Sequence, residues 1–324
     1  MKNKQTAYAK INPVLRVCSK RPDGYHELAM IMESVSIHDD LETYVTDEPG
    51  LRLFCRTEGD HLSSGGMLST GDDNLVIRAA NAIFDHVKDP AMPDSGRTRP
   101  GLNHLSDTAM AVMSGRAGLN LLLTKRIPMA AGLAGGSTDA AAALRGINEL
   151  LELKLSTDEL CSIGVRIGAD VPYCIRGGSC LAEGIGEKLT PIAPPPAAHL
   201  LILKPQVNVP TANVYGLYDR RAAGSSLPYE APESRMMRAL DAGDLTEMGQ
   251  ALYNDLRIVT AMDYQIIPAL ERMLPDLGAS GAMMSGSGPS VFGLFESKDE
   301  CLSALSHIRG LYPEMYAEYA EFVI

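Results

Sequence analysis

The sequence predicts an α+β protein of two domains, and three observations carry that expectation. Apolar, β-branched runs bounded by Pro, Asp and Gly mark strands near the amino end. Apolar residues at helical spacing appear from residue 75 onward. Three consecutive prolines, Pro194 to Pro196, form a stiff connector ahead of the apolar run "HLLIL", which places a domain boundary near residue 191. At 324 residues, 45% of them hydrophobic and 21% charged, the chain has material for two cores of ordinary size.

Taken in order, "AYAKINPVLRV" and "LAMIMESVSI" read as strands, and "DDNLVIRAANAIFDHV" reads as a helix with Leu75, Ala79, Ala82 and Ile83 on one stripe. Residues 89–117 are rich in Gly, Pro, Ser and Asp and read as a long irregular surface excursion. "LNLLLTKRIP" is a strand. The helix after "MAAGLAGGST" carries Ala140, Leu144, Ile147 and Leu151 on one face. A further helix starts at Ser156, where Ser156 and Glu159 stand in capping-box register, and Gly168 with Pro172 is expected to end it, leaving Asp170 in the following turn. Beyond residue 191, helices in "MMRALDAGDLTEMGQALYNDL" and "IIPALERMLPDL" alternate with strands in "SVFGLFE" and "YAEYAEFVI", the pattern of a smaller α+β domain.

The formal charge of −11 argues against partners held by a broad basic surface, so neither nucleic acid nor an anionic membrane face is expected. Any anionic ligand then needs a local positive potential. The amino end lacks the apolar region of a signal peptide, and no stretch approaches the ~20 apolar residues of a spanning helix. Six cysteines are scattered without metal-site spacing and read as reduced, mostly buried thiols. A cytoplasmic protein is expected, monomeric or a weak homodimer.

The strongest local signal is Pro128–Thr138, "PMAAGLAGGST", a strand exit followed by Gly132, Gly135, Gly136 and the hydroxyls of Ser137 and Thr138. Glycines let backbone approach a ligand closely, and the helix start aims free N–H groups and about half a positive charge at it. A nucleotide polyphosphate suits such a loop, with Ser137 a candidate ligand for a phosphate-held Mg²⁺. On its own the run also fits a flexible connection ahead of an Ala-rich buried helix. It is neither the Walker pattern nor the Rossmann pattern.

The same run resembles the phosphate-binding motif of the GHMP kinases, P-x-x-x-G-L-G-S/G-S, with Ala134 in place of the commoner glycine. "AYAKINPVL" is similar to the first motif of that family, and "GAMMSGSGPSVFGLF" at 281–295 to the third. "AKIN" 9–12, "RPDGYH" 21–26 and "GADVP" 168–172 together resemble the branch whose substrate is a cytidine diphosphate-linked methylerythritol. Departures are Pro13 after "AKIN", the "CSK" before "RPDGYH", and a longer segment at 89–117.

The resemblance implies a two-domain GHMP kinase fold, an amino-terminal nucleotide-binding domain over 1–190 and a smaller ferredoxin-like domain over 191–324. It implies a small-molecule kinase using ATP and Mg²⁺. Lys10, which strand spacing alone would send to solvent, is implied beside the transferred phosphoryl group. Asp170, which alone reads as a turn aspartate, is implied as the general base. ATP would be held by Pro128, Met129, Ala130, Ala131, Gly132, Leu133, Ala134, Gly135, Gly136, Ser137 and Thr138, with Asn74 in the adenine pocket. Asn12, Tyr25, His26, Thr211, Gly286 and Gly288 would bind the cytidine substrate. Tyr25 offers a stacking face and His26 a bifunctional edge to a pyrimidine, though a packed ring and a surface imidazole are the plainer readings. Thr211 equally fits a helix cap, and the loop at 285–290 a hairpin turn. The resemblance singles out no acidic residue as a metal ligand, which leaves Ser137 as the candidate. Another GHMP kinase, or a nucleotide-binding protein that keeps the fold without turnover, remains an alternative reading.

Overall fold

The computed structural model describes residues 2–59, 68–88, 105–221 and 230–324. In chain order the elements are β1 (Lys2–Lys20), β2 (His26–Thr46), β3 (Gly50–Thr57), α1 (Leu75–Lys88), α2 (Asp107–Met113), β4 (Gly118–Lys125), α3 (Gly135–Leu150), α4 (Thr157–Gly164) and α5 (Val171–Arg176). They continue with β5 (Cys180–Gly184), β6 (Lys188–Pro191), β7 (His199–Lys204), α6 (Thr211–Arg221), α7 (Pro232–Ala242), α8 (Leu245–Ala251), β8 (Tyr253–Asn254), α9 (Arg257–Asp263), α10 (Ile266–Asp276), β9 (Gly281–Met284), β10 (Val291–Phe295), α11 (Lys298–Leu311) and β11 (Tyr316–Glu321). The chain divides into two compact units, neither of them continuous in sequence. The first comprises Met1–Ala7, His38–Arg126 and Gly135–Arg176; the second Tyr8–Ile37, Ile127–Ala134 and Gly177–Ile324.

In the first unit the carboxyl half of β2 pairs antiparallel with β4 from Asp40↔Thr124 to Thr46↔Gly118, and β3 runs parallel to β4. Leu119, Leu121 and Leu123 of β4 alternate into one core, where they meet Val76, Ala79, Ala80 and Ile83 of α1 and Ala140–Leu144 of α3. Four successive buried alanines make α3 thin on several sides, so it can sit deep in that core. The Ser156–Glu159 capping box forms as expected and starts α4. The end of that helix differs from expectation: α4 stops at Gly164, and Pro172 lies in the first turn of a separate helix, α5. Proline suits a first helical turn because its missing N–H has no intrahelical partner there. Within 89–117, residues 89–104 lie outside the described residues, but 107–113 form α2, whose start is capped by Ser106 accepting from Ala109 N–H.

In the second unit β11, β7, β10 and β9 form a four-stranded antiparallel sheet in that order. The amino half of β2 pairs with β5, β5 with β6, and β1 runs parallel to β8. Leu200, Ile202, Phe292 and Leu294 share a core with Met236, Leu240 and Met248. The helix expected over 236–256 is two helices. Gly243, with φ +63°, ends α7 in the left-handed conformation, and the Asp244 carboxylate accepts from Glu247 N–H to start α8. The cysteines are free, as expected, but less buried: Cys180 and Cys301 are buried, Cys55, Cys161 and Cys174 half-buried, and Cys18 exposed.

Candidate active site

The glycine loop passes from the second unit to the first, with Pro128–Ala134 in one and Gly135–Thr138 in the other. Its backbone takes the left-handed region at Ala130 (φ +50°), Gly132 (φ +75°) and Ala134 (φ +57°). A Cβ on Gly132 would stand 2.4 Å from the Ser285 carbonyl oxygen, so only glycine fits. Ala134 occupies a conformation glycine prefers, which explains why the resembling motif has glycine more often at that position. From Gly135 onward the loop becomes the first turn of α3, whose leading N–H groups lack intrahelical partners.

In the second unit, Lys10 is 5% and Asn12 0% exposed, so neither points to solvent. Lys10 Nζ donates to Asn12 Oδ1, and the Lys10 backbone N–H donates to the Leu133 carbonyl of the glycine loop. The loop between β9 and β10 joins this group. Ser285 Oγ donates to the Gly132 carbonyl at 3.0 Å, and Ser290 N–H donates to the Ala131 carbonyl at 3.3 Å. Gly286 (φ +59°) and Gly288 (φ +85°) make the turn, and Thr211, the first residue of α6, shares a hydrogen bond with Ser287 at 2.9 Å. Asn254 holds the turn from beneath, its amide donating to the Met284 and Gly286 carbonyls at 2.8 Å each. Lys10, Asn12, Gly132, Gly286, Gly288 and Thr211 are therefore one connected set.

Tyr25 and His26 follow a turn closed by Arg21 N–H to the Tyr25 carbonyl, and the two side chains differ sharply. Tyr25 is 61% exposed, whereas His26 is 7% exposed and stacked on Tyr215 at 4.9 Å between ring centroids. His26 Nε2 lies 2.7 Å from Asp219 Oδ1, and Lys20 Nζ donates to the other oxygen of the same carboxylate at 2.5 Å. The Lys20 and His26 hydrogen bonds hold the Asp219 carboxyl below the usual carboxylate range.

In the first unit, Ser137 lies close to the "GADVP" turn, its Oγ 3.7 Å from where a Cβ on Gly168 would sit. Asp170 opens α5, its carbonyl accepting from Cys174 N–H at 3.0 Å. Asn74 opens α1: its Oδ1 accepts from Val76 N–H at 2.8 Å and its amide donates to the Ser69 carbonyl at 2.6 Å. Gly136 faces Leu75, one residue on, at 3.2 Å from its Cβ position. Behind the loop, Asp139 of α3 and Asp39 of β2 share one buried cation, Lys125, with Asp139 Oδ2 at 2.7 Å. One ammonium cannot compensate two carboxylates away from water. Burial, together with the charge of Asp39, pushes the Asp139 carboxyl up.

Two family models match the chain: the GHMP kinases N terminal domain over residues 98–178 and the GHMP kinases C terminal over 236–313. A curated 4-diphosphocytidyl-2-C-methyl-D-erythritol kinase of Geobacter sulfurreducens is 39% identical over 303 residues, 94% of this chain and 93% of its own. The chain belongs to the 4-diphosphocytidyl-2-C-methyl-D-erythritol kinase branch of the GHMP kinases. The Bacillus pumilus kinase of the same name is 38% identical over 313 residues, 97% of this chain and 95% of its own. A crystal structure of 4-(cytidine 5'-diphospho)-2C-methyl-D-erythritol kinase matches with a TM-score of 0.71 at 28% identity, covering 98% of each chain. Mevalonate kinase of L. major, in complex with R-mevalonate, shares the fold at a TM-score of 0.73 and 18% identity over 98% of this chain and 95% of its own.

Among the described residues no three His, Cys, Asp or Glu side chains converge as a cation cage. The Ser137 hydroxyl, in the first turn of α3, is the oxygen donor that the sequence reading puts forward for a phosphate-held Mg²⁺. Several residues escaped the sequence reading. Tyr215 and Asp219 had a readable signal, since Thr211, Tyr215 and Asp219 fall at i, i+4 and i+8 on one face of α6. Asn254, Asp39 and Lys125 had none, because the side-chain partners described above lie 14 to 86 residues away, beyond any local pattern.

Proposed function

We propose that this protein transfers the γ-phosphoryl group of ATP to the 2-hydroxyl of 4-diphosphocytidyl-2-C-methyl-D-erythritol, a step of the non-mevalonate isoprenoid precursor pathway. The observation that carries the reading is the turn "RPDGYH", which presents an exposed Tyr25 ring next to a His26 fixed from α6. GHMP kinases acting on acceptors without a base have no use for such a pair.

The backbone of Pro128–Thr138 would hold the nucleotide phosphates, and Asn74 would line the adenine pocket while it caps α1. Mg²⁺, when bound, would offset charge on the phosphates. Lys10, fixed by Asn12, would hold an ammonium beside the moving phosphoryl group, and Asp170 would take the acceptor's proton. Asn12 and Thr211, with Gly286 and Gly288, would orient the substrate's methylerythritol diphosphate, and Tyr25 with His26 its base. The chemistry is then positioning and electrostatics without a covalent phosphoenzyme. Matches on either side of residue 191 support a functional division into 1–190 and 191–324. Action in the cytoplasm, as a monomer or weak homodimer without nucleic-acid partners, completes the proposal; no helix among the described residues is long and apolar enough to cross a membrane.

The test is ATP consumption with the cytidine diphosphate substrate, with free methylerythritol and mevalonate as controls. Turnover confined to the cytidine compound is expected. Activity on mevalonate alone would overturn the assignment.

A further inference from the structure

His26 is the base-facing candidate, but its chemistry is set by a neighbour 193 residues away. The Asp219 carboxylate accepts from Lys20 on one oxygen and faces His26 Nε2 with the other. Lys20 and His26 keep that carboxyl ionised, and an ionised carboxylate can only accept. The hydrogen in the 2.7 Å contact therefore sits on Nε2 of the imidazole. In the neutral ring this leaves Nδ1 with a lone pair and no hydrogen. Nδ1 has no hydrogen-bond partner among the described residues, yet it is not one of the side-chain atoms sealed from solvent. The ring cannot turn to present another edge, because Tyr215 stacks on one face and Asp219 pins the far nitrogen.

We infer that Asp219 is a specificity-determining positioning residue: by keeping the hydrogen of His26 on Nε2 it makes Nδ1 an open acceptor, which selects a 4-aminopyrimidine over a 4-oxopyrimidine. A cytosine ring offers an N–H donor at its 4-position, and a uracil ring offers an acceptor oxygen there. An acceptor facing an acceptor leaves a desolvated lone pair opposed by another, so rejection of uracil comes from repulsion as much as from a lost bond. Lys20 acts one step further back, holding the carboxylate ionised and in place. The inference rests on the proposed reading of His26 as the base reader.

The experiment compares kcat/KM for the cytidine diphosphate-linked and uridine diphosphate-linked methylerythritol in wild type and in Asp219→Asn. An asparagine amide can donate to Nε2, which moves the ring hydrogen to Nδ1 and turns the open acceptor into a donor. The cytidine-to-uridine preference is expected to fall at least tenfold in Asp219→Asn, with the KM for ATP changed less than threefold. A merely structural role would lower activity on both substrates together and leave their ratio alone, and that result would overturn the inference. Nitrogen-15 NMR of the histidines, with His26→Gln to assign the ring, reads the tautomer directly. Wild type should show hydrogen on Nε2 and Asp219→Asn on Nδ1; a wild-type ring carrying its hydrogen on Nδ1 sinks the idea. If wild type turns over neither pyrimidine substrate, the proposed function falls, and the tautomer measurement still decides what Asp219 does to His26.

Discussion

At the scale of single residues, the fold gives each candidate a defined environment. Lys10 is buried against Asn12 instead of lying on a solvated strand face, so its ammonium has few orientations to lose when a phosphoryl group arrives. Asp170 sits at the opening of a six-residue helix, a position that fixes its backbone through the Cys174 N–H bond. If it is the base, Asp170→Asn removes proton acceptance while keeping shape. Turnover should fall about 10²- to 10⁴-fold with ATP affinity nearly unchanged. Steady-state kinetics and nucleotide titration of that variant check this, and wild-type turnover would remove Asp170 from the mechanism. Lys10 and its partner Asn12 belong to "AKIN", and both were legible as candidates in the sequence. The hydrogen bond between them was not, because alternation along a strand does not say which face is covered.

At the scale of elements, two features shape the phosphate loop. Its left-handed positions at Ala130, Gly132 and Ala134 bend the chain between β4 and α3, and only at Gly132 does the surrounding backbone forbid a side chain. Ala134 holds φ at +57°, a conformation costing an L-residue about 1–2 kcal/mol. Glycine there loses more chain entropy on folding, which offsets part of the relief. Ala134→Gly is expected to stabilise the protein by about 0.5–1 kcal/mol. Urea denaturation of the two proteins measures it, and a destabilised variant would contradict the account. Helix α6 makes the complementary point. Its spacing of Thr211, Tyr215 and Asp219 was present in the sequence, but polar residues at helical spacing usually mark a solvated face, and only the stacked His26 ring gives this stripe its meaning.

At the scale of the whole molecule, buried carboxyl groups couple stability to pH. Burial raises Glu33 to about 8, against a downward pull from the Ser179 hydroxyl that donates to it at 2.6 Å. Asp139 is raised too, by burial beside Asp39. A carboxyl whose folded value lies above its unfolded one binds its proton more tightly in the native state. Its contribution is complete below the ordinary carboxylate range and is lost as pH rises toward and through about 8. Stability should therefore decline between pH 6 and pH 9, by at most about 1.4 kcal/mol per pH unit for each such group. Glu33→Gln and Asp139→Asn should each flatten the decline. Urea midpoints of the three proteins at pH 6 and pH 9 test this, and parallel curves would refute it.

The sequence by itself determined the α+β class, the glycine loop with its helix, the capping box at Ser156, and the motif set that marks the kinase family. These are local properties: periodicity, turn chemistry and short strings act over a few residues, so they can be read without knowing what packs against them. The tertiary structure alone decided that Pro172 starts a helix, that Gly243 divides α7 from α8, and that the chain interleaves two compact units. It also decided that His26 is held by Asp219, that Asn254 supports the turn at Gly286, and that Lys125 is shared by Asp39 and Asp139. Those pairings join residues far apart in the chain, and the hydrogen and charge on such groups follow from who their partners are.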